Sequence, residues 1–104
     1  MNSYRGRLSR EVLEKILGLI HYLNLDRNDE LRLLNNIYRR LETVTAAIRA
    51  KRVPNHPNCF RTVVAYQHER VNYALFLTVD DTTTSGEMLV REVQIRSWPA
   101  SPPL

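Results

Sequence analysis

At 104 residues the chain has room for one domain built around one hydrophobic core. Its lone cysteine, Cys59, excludes an internal disulfide framework and fits a reducing, cytoplasmic setting, and no run reaches the roughly 18 apolar residues of a membrane span. Charge is unevenly placed: residues 1–59 carry 11 basic and 6 acidic side chains against 4 and 5 in residues 60–104, and 13 of the 15 cations are arginine, whose fork suits phosphate or carboxylate.

Residues 1–7 lack the apolar stretch of a signal peptide. Residues 4–8 can form a short edge strand, weakened by Gly6. Ser9 is placed as a helix N-cap, with Glu11 and Glu14 in the first turns, where the helix dipole favours negative charge. Val12, Leu13, Ile16, Leu17, Ile20 and Leu23 recur at 3–4 spacing and predict a helix to about Asn24, in which Gly18 marks a close approach. His21, beside that stripe, reads as a partly buried spacer. A turn at Asp26-Arg27-Asn28-Asp29 offers a second N-cap at Asn28 or Asp29. Leu31, Leu34, Ile37, Leu41, Val44 and Ile48 then keep a helical rhythm over about 22 residues, roughly 33 Å of helix. Two helices joined by so short a turn form an antiparallel hairpin.

Pro54 and Pro57 end the helical half. Residues 60–96 read as a three-stranded antiparallel meander. In its middle strand Val71, Tyr73, Leu75, Leu77 and Val79 alternate with Asn72, Ala74, Phe76 and Thr78, the period of a sheet with one buried face. Residues 60–66 precede it across Gln67-His68-Glu69-Arg70. Residues 87–96 follow it across a loop at 80–86, in which Asp80 and Asp81 read as solvated. A meander of this kind is not stable alone, so the hairpin must cover one face, with Leu34, Ile37, Leu41, Val44 and Ile48 meeting Val71, Tyr73, Leu75 and Leu77. The expected architecture is a single α+β domain over residues 1–97 and an irregular Pro-rich tail at 98–104.

Chemistry is sparse along this chain. Gly6, Gly18 and Gly86 are too far apart for a nucleotide-binding loop. His56 and Cys59, with His68 across the first hairpin, can be drawn as a partial metal site, but the spacing matches no closed zinc pattern and lacks a fourth ligand. No metal and no cofactor is therefore expected, and Cys59 reads as a buried, inert thiol. What remains are cations and hydroxyls on the strands: Arg61, Tyr66, Tyr73, Arg91 and Arg96, groups able to hold a phosphate without a metal. Alternation places Arg61 on the opposite pleat from Thr62 and Tyr66, and Arg91 on the opposite pleat from Arg96, so these cations are not expected to converge. The binding candidates are Arg39 and Arg40 from the basic helical half with Arg61, Arg91, Arg96 and Trp98.

The order of elements completes a pattern. Tyr4-Arg5-Gly6-Arg7-Leu8-Ser9 leads into a helix, a second helix follows, and a meander containing Asn58-Cys59-Phe60-Arg61, Asn72-Tyr73-Ala74-Leu75-Phe76 and Val93-Gln94-Ile95-Arg96 closes the chain. Over about residues 3–97 this resembles the RelE/ParE superfamily of toxins from bacterial toxin–antitoxin modules, whose members often open with Tyr-Arg-Val-Arg-Leu-Ser. The resemblance implies an antitoxin partner and one of two activities. Ribonuclease members use Lys and Arg on the meander with a C-terminal aromatic or histidine. Arg61 and Arg96 stand at positions of that kind, with Tyr73 as a further catalytic candidate and Trp98 as a replacement aromatic. Ala74 and Val63, however, stand where such members carry basic residues. The depleted set points to the ParE-like branch, which poisons DNA gyrase by binding, or to a member that has lost toxicity, rather than to a metal-independent endoribonuclease. The leading expectation is a toxin-type protein that binds a macromolecular target and is neutralised by an antitoxin. The alternatives are a small phage- or plasmid-encoded inhibitor or adaptor working by protein–protein contact, and a ribosome-dependent messenger RNA ribonuclease. A protein partner leads these readings, with nucleic acid second, and none requires a membrane.

Overall fold

Ser9 caps a helix, as its position predicts: its backbone is extended and its hydroxyl accepts from Val12 N–H at 3.2 Å, so α1 (Arg10–Leu23) begins at once. The computed structural model describes residues 6–83 and 86–100; residues 4 and 5 of the expected edge strand, Thr84 and Ser85 of the hairpin loop, and residues 101–104 of the expected tail lie outside these. Asn24 ends α1 in the left-handed conformation, with its own N–H donating to His21 O and that of Leu25 to Ile20 O, a cap that satisfies the last carbonyls. α2 (Arg27–Glu42) starts from Asp26 rather than from Asn28 or Asp29, because the Asp26 carboxylate accepts from Asp29 N–H at 2.8 Å. The single long helix expected after it is two. Thr43 turns its hydroxyl back onto the carbonyls of Arg39 and Arg40, closing α2, and Thr45 caps a new short helix, α3 (Ala46–Ala50), through Ile48 N–H. Hydroxyls on either side of Val44 offer the backbone local partners that compete with helix continuation.

α3 leads into the strands of the second half of the chain. The first two are β2 (Arg52–Val53), a short strand the sequence pattern does not announce, and β3 (His56–His68), onto which β2 folds back through Asn55 at φ 69°. β3, β4 (Val71–Asp80) and β5 (Met88–Pro99) are the expected meander, and β1 (Gly6–Leu8) adds in parallel to β5, giving the order β1-β5-β4-β3-β2. The class is α+β, with helices on a five-stranded mixed sheet. Glu69 and Arg70 alone make the β3–β4 turn, both at positive φ, as the twist of a two-residue hairpin requires. β5 continues through Trp98 and Pro99, where an irregular tail was expected. β4 still has residues to pair there: Trp98 stands opposite Asn72, and Ala100 N–H donates to Arg70 O at 2.8 Å.

One face of the sheet is covered. Val12, Ile16 and Ile20 of α1 and Leu33, Ile37 and Leu41 of α2 pack in one cluster with Phe60, Val64, Leu75, Leu77, Val79, Val90 and Val93. The α2 seam is rotated from the expected one: Leu33 is fully buried, Leu34, Val44 and Ile48 are partly buried at the margin, and Leu31 is exposed. Leu13 and Leu17 are likewise exposed, Gly18 has open space around it, and His21 faces solvent instead of packing. Close approach occurs at Gly6, where the Leu41 side chain occupies the space a Cβ would need. β2 pairs only with the first part of β3, and α2 closes off the rest of that edge with side chains spaced four residues apart. Arg32 Nη2 donates to Gln67 O at 3.0 Å, Asn36 Nδ2 to Ala65 O at 3.3 Å, and Arg40 Nε to Thr62 Oγ1 at 3.0 Å. Among the described residues no helix is long and apolar enough to cross a membrane.

Leu41→Ala should lower stability by about 2–5 kcal/mol, since it opens a cavity between α2 and β1 as well as exposing apolar area. Denaturant unfolding reads this directly, and an unchanged midpoint would place Leu41 outside the core.

Candidate binding face

Alternation along the meander sorts its side chains onto two faces. Phe60, Thr62, Val64 and Tyr66 of β3 and Tyr73, Leu75, Leu77 and Val79 of β4 are buried beneath the helices. Arg61, Val63, Ala65 and Gln67 of β3, with Asn72, Ala74, Phe76 and Thr78 of β4, belong to the other face, which no helix among the described residues covers. Tyr66 and Tyr73 are therefore core residues. Burial pushes both phenols above their ordinary pKa, and Tyr66 spends its hydroxyl on Asp29 O at 3.1 Å. Tyr73 cannot join Arg61 and Arg96 in a catalytic set, because the sheet stands between them.

On β5 the strict alternation fails, and with it the expectation that Arg91 and Arg96 lie on opposite pleats. Val90 and Val93 are both buried, so the two residues between them, Arg91 and Glu92, both turn outward. This is a β-bulge: pairing shifts from Val79↔Val90 to Thr78↔Glu92, which leaves Arg91 as the extra residue. Every outward side chain beyond it, Gln94, Arg96 and Trp98, consequently shares the helix-free face with Arg61.

Register then places these groups relative to one another. Arg61 pairs with Thr78, Val63 with Phe76 and with it Gln94, Ala74 with Arg96, and Asn72 with Trp98. Arg61, Phe76 and Arg96 thus form a diagonal across three strands. Two strand spacings and four residues of rise separate the two arginine Cα positions by about 17 Å, with Phe76 midway. A hollow of about 340 Å³ lies on this diagonal, lined by Arg61, Phe76, Thr78, Glu92, Gln94 and Arg96. Phe76 is 40 % exposed, Val63 40 % and Trp98 49 %, so the face combines cations with exposed apolar surface. Among the described residues neither Arg61 nor Arg96 has an ion-pair or hydrogen-bond partner. Trp98 stands at the upper end, beside Asn72 and Gln67.

The remaining candidates are distributed differently. Arg91 donates from Nε to Asp80 Oδ2 at 2.9 Å and so is engaged. Arg40 is held by Thr62. Arg39 is exposed beside the β3 edge, where it borders a hollow with Asn36, Thr43 and Val63. His56 and His68 occupy opposite ends of β3 rather than facing across a hairpin, so the partial metal site does not assemble, and among the described residues no three His, Cys, Asp or Glu side chains could hold a metal. Cys59 is buried, and burial first, then the charge of Asp80, pushes its thiol up, away from the reactive thiolate.

Asp80 and Asp81 are not solvated loop residues. Asp80 accepts from the Thr82 hydroxyl at 2.7 Å and the Thr82 N–H at 2.9 Å as well as from Arg91. The Thr82 hydroxyl, with the Thr82 N–H and Arg91, outweighs burial and holds its carboxyl below the ordinary range. Asp81, whose side chain is 2 % exposed, accepts from Arg52 Nη1 at 2.7 Å and Arg49 Nε at 3.0 Å. Burial pushes the Asp81 carboxyl up, but hydrogen bonds from Arg52 and Arg49 outweigh it and hold the group below its ordinary value. The pair thereby ties α3, β2 and the β5 bulge to the end of β4. Comparison with family models, curated proteins and solved structures finds no match to this chain.

Because both carboxylates titrate below the unfolded value of 3.8, their stabilisation is complete above that pH and disappears as pH falls through the lower folded values. Melting temperature should hold down to about pH 4 and drop below it. The drop should be shallower in Asp80→Asn/Asp81→Asn, and Asp81→Asn should itself cost about 1–3 kcal/mol at neutral pH by removing the negative charge and one of the two acceptor oxygens that Arg49 and Arg52 share. An identical acid profile in the double variant would remove this role.

Proposed function

We propose that this chain is a RelE/ParE-like, toxin-type protein that holds a macromolecular target on the helix-free face of its sheet and is neutralised by an antitoxin. The observation that carries this reading is the Arg61–Phe76–Arg96 diagonal: two cations without partners among the described residues flank an exposed aromatic ring on an uncovered sheet. Guanidinium forks suit carboxylate or phosphate on a target, and the ring supplies apolar contact between them. The order β1, α1, α2 and a closing meander, with the short α3 and β2 inserted before it, supports the resemblance seen in the sequence.

A ribonuclease reading has less support. General acid–base chemistry needs a group that gains and loses a proton near working pH, and arginine does not do so. The tyrosine that would have served is in the core.

Expression of the chain in a bacterial host should arrest growth, and co-expression of the neighbouring small open reading frame should relieve the arrest. Arg61→Ala and Arg96→Ala should each weaken target binding by about tenfold or more, as expected when a hydrogen bond to a charged group worth about 1.5–3 kcal/mol is lost. Supercoiling and translation assays identify the affected process. Discrete messenger RNA cleavage by primer extension that vanishes in Arg96→Ala would replace the binding reading with the ribonuclease one, and no effect on growth at high expression would remove the toxin reading.

A further inference from the structure

The two edges of the sheet are finished differently. On β3 the outward carbonyls of Ala65 and Gln67 are taken up by Asn36 and Arg32 of α2. On β5, β1 pairs only with Met88, Leu89 and Val90, and the Ser9 hydroxyl donates to Arg91 O at 3.4 Å. From Glu92 to Trp98, among the described residues, neither a strand nor a hydrogen bond from α1 meets the outer edge of β5. An open groove of about 600 Å³ runs beside it, lined by Lys15, Val93, Gln94, Ile95 and Arg96. A bare edge of this length is a template for another strand.

The residues along this edge are complementary to themselves. Set antiparallel to a second copy about a twofold axis through Gln94, the strand brings Glu92 opposite Arg96 of the second copy and Arg96 opposite its Glu92, both pairs on the helix-free face. On the helix face, Val93 then meets Ile95 in both directions. Directly opposite residues share a face, so a twofold pairing must shift by whole pleats. Moving the axis to Val93 or to Ile95 loses both charge pairs. Among the described residues neither Glu92 nor Arg96 has an ion-pair partner within its own chain, whereas the adjacent Arg91 is paired with Asp80.

We propose that residues 92–96 of β5, beyond the edge that β1 occupies, pair with the same residues of a second copy about a twofold axis through Gln94, joining the two five-stranded sheets along that segment. The contact is isologous and closed, so it ends at a dimer. It also merges the two helix-free faces into a single surface with Arg96 at the seam, whose five donors leave part of its fork for a target.

The test is sedimentation velocity of the full chain over a concentration series, with amide exchange read at low and high concentration. A dimer is expected, with the outward amides of Val93 and Ile95 slowed as concentration rises. Glu92→Arg and Arg96→Glu should each raise the dissociation constant by about tenfold or more, about 1.4 kcal/mol per decade. The double exchange Glu92→Arg/Arg96→Glu should restore it, because the twofold axis puts each residue in the other's place. A chain monomeric at every concentration overturns the proposal, as does a dimer whose slowed amides lie elsewhere or which ignores both single reversals. If a single reversal unfolds the chain, the double exchange decides: a folded monomer overturns the proposal and a folded dimer supports it.

Discussion

Tyr73, Leu75, Leu77 and Val79 stand on one pleat of β4, and their removal from water is the requirement on which the rest of the molecule depends. Each such side chain is worth about 1.5–3 kcal/mol when fully buried. β3 and β5 extend the same apolar surface on either side, and α1 and α2 supply helix for one layer over it. The sheet therefore has a covered face and an open one, and the contents of the open face follow from which pleat each residue occupies. Close packing of α2 onto that surface reaches as far as β1, where Leu41 presses against Gly6.

Polar contacts complete what apolar burial leaves unfinished. A sheet edge with free carbonyls invites pairing, and the four-residue spacing of Arg32, Asn36 and Arg40 lets one helix face serve the β3 edge while its neighbouring face serves the core. At the other end, Asp80 and Asp81 point in different directions from adjacent positions. One gathers Thr82 and Arg91, the other Arg49 and Arg52. Burying a carboxylate is costly unless its oxygens are satisfied, and here each carboxylate has donors on both oxygens. That arrangement holds the bulge in place, because Arg91 is the bulge residue itself.

The bulge has a functional consequence. Without it, Arg96 would point into the helix layer, and the outward arginines of the meander would be Arg61 and the Asp80-bound Arg91. With it, cations stand on both flanks of Phe76. Such a surface is suited to holding charge and apolar area together.

Much of this fold is legible in neighbouring residues. The Ser9 cap, the α1 stripe through Val12, Ile16 and Ile20, the alternation of β4, the meander and the side of the sheet on which Arg61 lies all follow from spacing, because local hydrogen bonds and the periods of helix and strand are properties of short segments. The candidate face was half visible in the same way: Phe76 and Thr78 alternate with the core residues of β4. Other features required partners far away in the chain. Leu33 replaces Leu34 in the core because the direction of α2 over the sheet sets which flank is buried. Trp98 belongs to a strand because Asn72 is there to pair with it. Asp81 is buried because Arg49 and Arg52 arrive from α3 and β2 to meet it. Arg91 and Arg96 share a face because β4 and β1 hold Val79 and Leu8 opposite Val90, forcing one extra residue into β5 before Val93 can turn inward. Parity along a strand is local until a bulge interrupts it, and where the bulge falls is decided by the strands on either side.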